Sequence, residues 1–303
     1  MSVANVSQQL FRANRGYRAA FVQEMEAAEA QWMPAVNLLA MDVPSTGPIE
    51  EYNFSDAVPR MTEWKDERKI SKLGVDGWTL KNVSYANGVE IDRDDLEDDK
   101  LGLYMPRIRE LARQGVLHKF QLLRDLINNG ATATYTAWDG QVFFSNSHPL
   151  ADSASTNDNF LTPVLAEASL QTALAQLSDM RDSQGEYMNL KGTHLIFGND
   201  LQFTAKDILQ QERQASGETN IMRGTLQPLH IPGLTSTNWA VADLSHSLKP
   251  FVLQNRRGIT FTDVTNPDSP EVFMRKRFMY GADWRGAMGY AHYQLMVMSD
   301  GST

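Results

Sequence analysis

An α+β fold is predicted by three features of the sequence. Apolar residues recur at spacings of three and four from Met105 through Ile108, Leu111, Ala112, Val116, Phe120 and Leu123 to Ile127, which gives one amphipathic helix of about six turns. Two β-like segments rich in Ile, Leu, Trp, Val and Tyr flank Gly74–Gly77 and read as an extended hairpin. The chain from Phe251 onward is predominantly β, in short apolar runs divided by turn residues.

Taken in order, the elements begin with a helix from Arg15 to Ala28, where Tyr17, Phe21 and Met25 stand four apart on one face. Met41–Trp64 follows with neither a helical nor a strand period and reads as an arm of 24 residues. In the second strand of the hairpin the apolar parity runs through Trp78 and Leu80, then switches to Val83, Tyr85, Val89 and Ile91. That switch predicts a bulge near Lys81 and Asn82. A hairpin this long, polar on both flanks, cannot bury itself and must lie against something else.

The stretch DRDDLEDD, Asp92 to Asp99, holds six carboxylates in eight positions and reads as the front end of the long helix, where acidic groups face unsatisfied N–H groups. Gly102 interrupts, Pro106 fits the first turn, and Asn128–Gly130 ends the helix. Asp139 and Gly140 mark a tight turn, and Thr162 and Pro163 read as cap and first residue of a helix reaching Met180, with Leu170, Leu174 and Leu177 inward. THLIF is a strand, a helix capped by Asn199 or Asp200 follows it, and the polar segment 210–224 reads as a mobile loop. WAVADL, PFVLQ, GITFTDV, EVFMRKRFMYG and GYAHYQLMVM all read as β.

Composition excludes several kinds of chemistry. Zero cysteines remove disulfides, thiolate ligands and a cysteine nucleophile. A formal charge of -9 argues against sequence-specific nucleic-acid binding, and the two basic clusters, Arg256–Arg257 and Arg275–Arg277, read as solvated strand faces or subunit salt bridges. No apolar stretch is long enough for a membrane span, and the N-terminus lacks the apolar core of a secretory signal, so a soluble protein made inside the cell is expected. The acidic run fails as a calcium loop, because Leu96 takes a ligand position and Glu97 the place of the turn glycine. The six histidines show no zinc-site spacing, SNSHP lacks a nucleophile elbow, and no phosphate-cradling glycine loop or dinucleotide fingerprint is present. No catalytic residue, cofactor or metal site is assigned.

Four stretches resemble, in the same order, the major head subunit of Mu-like tailed phages and prophages: Tyr52–Ile70, Leu80–Tyr104, Trp138–Pro149 and Phe278–Gly301. The second and fourth are the most specific. The resemblance implies the Hong Kong 97-type capsid fold: an N-terminal arm (1–58), an extended hairpin loop (59–91), a peripheral domain with a spine helix (92–184), an axial domain (185–250) and a β return to the peripheral domain (251–303). It implies a self-assembling structural subunit of an icosahedral head, arranged in hexamers and pentamers. A scaffolding protein, a portal and a decoration protein are the implied partners, with DNA as non-specific contents and no membrane. It also implies a place in the virion after synthesis in the host bacterial cytoplasm.

Under that reading the hairpin lies on an adjacent subunit, and Trp64, Arg68, Lys69, Leu73, Trp78, Leu80, Tyr85, Asp94 and Asp95 are the expected assembly contacts. Some capsids of this fold cross-link through lysine, and Lys65, Lys69 and Lys72 lie in the hairpin, but the sequence identifies no acceptor. The competing reading is a metal-dependent hydrolase using the Asp92–Asp99 carboxylates with a histidine such as His148. A cellular nanocompartment shell of the same fold is a third.

Overall fold

A computed structural model describes residues 3–54, 77–92, 95, 101–134, 136–150, 156–182, 185–213, 217, 219–266 and 268–303. Helix α1 spans Val3–Leu39, well beyond the expected 15–28, and continues through Pro34. Tyr17 and Phe21 are buried and Met25 packs beside them, so the four-residue stripe does face a core.

The segment expected to be an arm without regular structure contains two strands, β1 (Ala40–Pro44) and β2 (Ile49–Tyr52). Both are too short for an alternating pattern to stand out, and their partners are remote in sequence. β2 pairs antiparallel with β3 (Trp78–Lys81), while β4 (Val83–Asp92) joins a different sheet. At Asn82, where a bulge was expected, the strand changes partners instead. The first half of the expected hairpin lies outside the described residues.

Helix α2 covers Leu101–Asn129, a turn earlier than expected, so Pro106 sits inside it and beyond its first turn. Its apolar stripe is buried as predicted, from Ile108 and Ala112 to Leu123 and Ile127. Gly130 follows, but not as a left-handed cap, since it has no positive φ. A Cβ there would collide with the Phe144 ring, at 2.5 Å, so close packing explains the glycine. Gly140 does have positive φ, and its N–H bonds the Ala137 carbonyl, as the predicted turn requires.

Two short strands, β5 (His148–Pro149) and β6 (Thr156–Asn157), form a small ladder, and β7 (Phe160–Leu161) follows. Helix α3 runs from Glu167 to Ser178 with Ala166 as its cap, so Thr162 and Pro163 precede it rather than start it. β8 (His194–Phe197) is the THLIF strand, and α4 (Gln202–Gln210) is capped by Leu201, not by Asn199 or Asp200. In the expected loop 210–224, Asn220 ties the described residues down by donating to the carbonyls of Ile208 and Gln211.

β9 (Gln227–His230), β10 (Trp239–Ala242) and the fourteen-residue β11 (Phe251–Val264) come next. Pro270–Arg275, expected as strand, is a short helix, α5, with Ser269 capping Val272 N–H and Lys276 left-handed at its end. β12 (Arg277–Tyr290) and β13 (Met296–Ser299) complete the chain.

Two sheets organise these elements. The first has the order β1-β11-β12-β4, and α1 and α2 pack along one another against one of its faces. The second has the order β7-β13-β10-β8-β9 with α3 and α4 beside it, around Leu170, Leu177, Leu195, Trp239 and Val297. The expected division of the chain does not follow these sheets. Residues 92–184 give α2 to the first and β7 and α3 to the second, and 251–303 give β11 and β12 to the first and β13 to the second. Strand pattern shows that a segment is buried, not which sheet it joins.

Candidate assembly surface

Of the expected contact residues, Trp64, Arg68, Lys69, Leu73 and Asp94 lie outside the described residues. Trp78 and Leu80 are half-buried and pack on their own chain, where both lie over Gly289 of β12. Trp78 also meets the rings of Tyr52 and Phe54, at 5.9 and 5.5 Å. These two expected assembly contacts thus also pack within their own subunit. They close a small apolar cluster with Phe54, Val252 and Ala291.

A fully bonded polar group lies beneath them. Asn82 donates to Ser45 Oγ at 2.7 Å and to the Gly47 carbonyl, and its Oδ1 accepts from Gln254 Nε2 at 2.7 Å. Gln254 Oε1 in turn accepts from Tyr52 Oη at 2.8 Å, and burial pushes that phenol up to about 12. Glu50 closes the turn: the Gly47 N–H, then the Ser45 hydroxyl and the Thr46 N–H, hold its carboxyl below the usual range. Buried polar networks with every member paired fix geometry, and this one fixes the Ser45–Gly47 turn, Tyr52 and Asn82 against β11.

Tyr85, on β4, stacks on Trp284 with ring centroids 5.3 Å apart and lies 4.3 Å from the His118 ring. Burial lowers the His118 pKa. On the same indole sits Lys119, nearly fully buried, its Nζ 5.5 Å from the ring centroid; burial lowers its pKa while Glu29 and Asp42 oppose the shift. Tyr85 therefore also belongs to its own subunit's core.

Apart from Asp92 and Asp95, the acidic run expected at the front of the long helix lies outside the described residues. The first turn of α2 itself holds no acidic residue, and Asp95 accepts from Tyr104 Oη at 2.7 Å. The basic clusters are largely paired within the chain: Arg275 with Glu271 at 3.0 Å, Arg277 with Glu90 at 2.8 Å, and Arg256 with the Ser45 carbonyl.

His148 is buried with Asp139 at 2.5 Å from Nδ1, the spacing of a catalytic pair, but its Nε2 faces Asn159 Oδ1 at 3.2 Å rather than a hydroxyl. Asn159 Nδ2 serves the carbonyls of Phe143, Tyr293 and Met296. The cluster joins the Asp139 turn to β13 and offers no nucleophile. Among the described residues no group of three His, Asp or Glu side chains is placed to hold a metal, and no helix is long and apolar enough to cross a membrane.

A long helix packed on a four-stranded sheet, with a five-stranded sheet beside it, is the architecture of tailed-phage capsid subunits of the Hong Kong 97 type. Over 99% of this chain and 76% of its own, a chain of the procapsid of bacteriophage JBD30 superposes with a TM-score of 0.60 at 23% identity. A chain of Microbacterium phage Oxtober96 gives 0.54 at 12% identity over 88% of this chain and 90% of that one. In sequence, the Mu-like prophage FluMu major head subunit of Haemophilus influenzae is 28% identical over 97% of this chain and 74% of its own length. The major capsid protein of Escherichia phage Mu is 25% identical over 94% and 71%. The family model described as the Mu-like prophage major head subunit gpT matches residues 10–164, 161–234 and 230–302. The chain belongs to this family of major head subunits, and it is a structural capsid protein.

Proposed function

We propose that this chain is the repeating unit of a closed icosahedral head, arranged in hexamers and pentamers around packaged DNA that it contacts without sequence preference. The observation that carries the reading is the family match, which runs almost unbroken from residue 10 to residue 302. The braced root supports it. Asn82, Gln254 and Trp78 anchor one end of the 59–91 segment, so that its outer part reaches an adjacent subunit in a defined direction.

Trp64, Arg68, Lys69 and Leu73 carry that contact, and Trp78, Leu80 and Tyr85 present their exposed edges to it. Asp94 and Asp95 pair with basic side chains of the neighbour. Assembly proceeds in the host bacterial cytoplasm with a scaffolding protein, a portal and a decoration protein, and ends in the virion. The subunit turns over no substrate.

Sedimentation and negative-stain microscopy of the purified chain, alone and with its scaffold, test the reading. Closed shells are the expected result. A chain that stays monomeric under all conditions that keep it folded, or a turnover lost on His148→Ala with stability intact, would overturn it.

A further inference from the structure

Arg257 on β11 and Arg285 on β12 stand directly opposite one another in the antiparallel register. Directly opposed residues project from the same face of a sheet. Arg285 alternates with the buried Phe278, Tyr280, Ala282 and Trp284 of β12, sharing partial exposure with Met279, Gly281 and Asp283, and Arg257 on β11 is exposed. The β11–β12 register breaks on both sides of Arg257, and such irregularities re-aim a side chain.

Like charges opposed across a ladder repel, so a pair of this kind calls for an anion between them. Neither arginine has an ion pair among the described residues, and Arg285 Nε is buried without a hydrogen-bond partner. Their neighbours do not supply one: Asp283, on the same face, receives the Thr262 hydroxyl, and the residue opposite Arg285 on β4 is Ser84. Arg256, Arg275 and Arg277 are all satisfied within the chain, which sets these two apart.

We infer that Arg257 and Arg285 form a carboxylate receptor at a contact between two copies of this chain, taking an acidic side chain of the second copy between their guanidinium groups. The inference rests on the shell reading above. Charge argues for the occupant: the chain carries 37 acidic against 28 basic residues, and its densest acidic source is the Asp92–Asp99 run. Guanidinium groups meet carboxylates fork to fork, through paired N–H donors. A phosphate backbone fits less well, because two arginines beside Asp283 on a chain of charge -9 are not the basic stripe such binding needs.

Three proteins decide it: wild type, R257Q/R285Q and R257K/R285K. As unassembled subunits R257K/R285K is expected to melt like wild type and R257Q/R285Q no earlier than wild type, since neither arginine has a partner in its own subunit and the glutamines remove the repulsion between the opposed charges. In sedimentation the glutamine variant is expected to need at least about tenfold more protein than wild type to form particles. In shells mixed from isotopically labelled and unlabelled chains, a zero-length carbodiimide is expected to join the lysines introduced by R257K/R285K to aspartate or glutamate of a different chain. Should R257Q/R285Q melt early, the cross-links alone decide.

A glutamine variant that assembles at the wild-type concentration, cross-links confined to one chain, or oligonucleotide binding that R257Q/R285Q abolishes would each overturn the receptor and leave the shell reading standing. A wild type that forms no particles counts against both.

Discussion

The imidazole of His148 lies flat on the phenol ring of Tyr293, ring centroids 3.6 Å apart and planes 8° from parallel, while its two nitrogens meet Asp139 and Asn159. A stacked, doubly bonded and fully buried ring is held for support, and its removal strands a buried carboxylate.

His148→Ala is therefore expected to destabilise the subunit by about 3–5 kcal/mol, the cost of breaking a buried pair on one side. Urea unfolding of the unassembled chain reads this directly. A loss below about 1 kcal/mol would mean that Asp139 finds water or another donor.

Acid should weaken the subunit through His292, whose burial pulls its pKa from 6.5 down to about 4. The unfolded chain then takes up this proton before the folded one does, so stability is complete above about pH 6.5 and falls until about pH 4. The gap of about two and a half pH units, at about 1.4 kcal/mol each, amounts to about 3 kcal/mol. His118 and His194, also lowered by burial, act in the same sense. Denaturant melts of wild type and His292→Phe at pH 7 and pH 4.5 isolate the His292 share, and parallel curves would refute it.

Trp78 and the outer hairpin should separate in their effects. Trp78→Ala, at a half-buried site over Gly289, is expected to cost the subunit about 2 kcal/mol, less than a fully buried tryptophan would. Replacing residues 60–74 with a short Gly/Ser linker should leave the melting curve unchanged and abolish closed particles. Circular dichroism beside sedimentation compares the two, and a linker variant that still forms normal shells would remove the outer hairpin from assembly.

Gly286→Ala should be costly for its size. The added Cβ would strike the Gln254 carbonyl oxygen in the neighbouring strand, a backbone atom that cannot step aside. A loss of about 1–3 kcal/mol is expected from overpacking of this kind. A thermal melt unchanged within error would show that β11 and β12 part there at little cost.

What could be read from the sequence depended on range. The stripe Ile108–Ile127 of α2 is buried as its spacing required, because helical periodicity is local. β1 was missed because five residues carry little pattern, and its partner Phe251–Asn255 is over two hundred positions away. The α5 helix was read as strand from Val272, Phe273 and Met274, although Ser269 followed by Pro270 gave the signal for a helix start. Trp78, Leu80 and Tyr85 were recognised as residues needing cover, but apolar pattern does not say which copy provides it. Arg257 and Arg285 were illegible as a pair, since only the register brings them together.

The placement of the last two strands governs when the protein can exist at all. β12 is interior to the first sheet, between β11 and β4, and β13 is interior to the second, between β7 and β10. A nascent chain still lacking residues 277–299 has two half-sheets with open seams and nothing to close them. Neither sheet can therefore close on the earlier chain alone: residues 277–299 must be made before either reaches its final strand order, so the two sheets are completed by one late stretch of chain rather than one after the other.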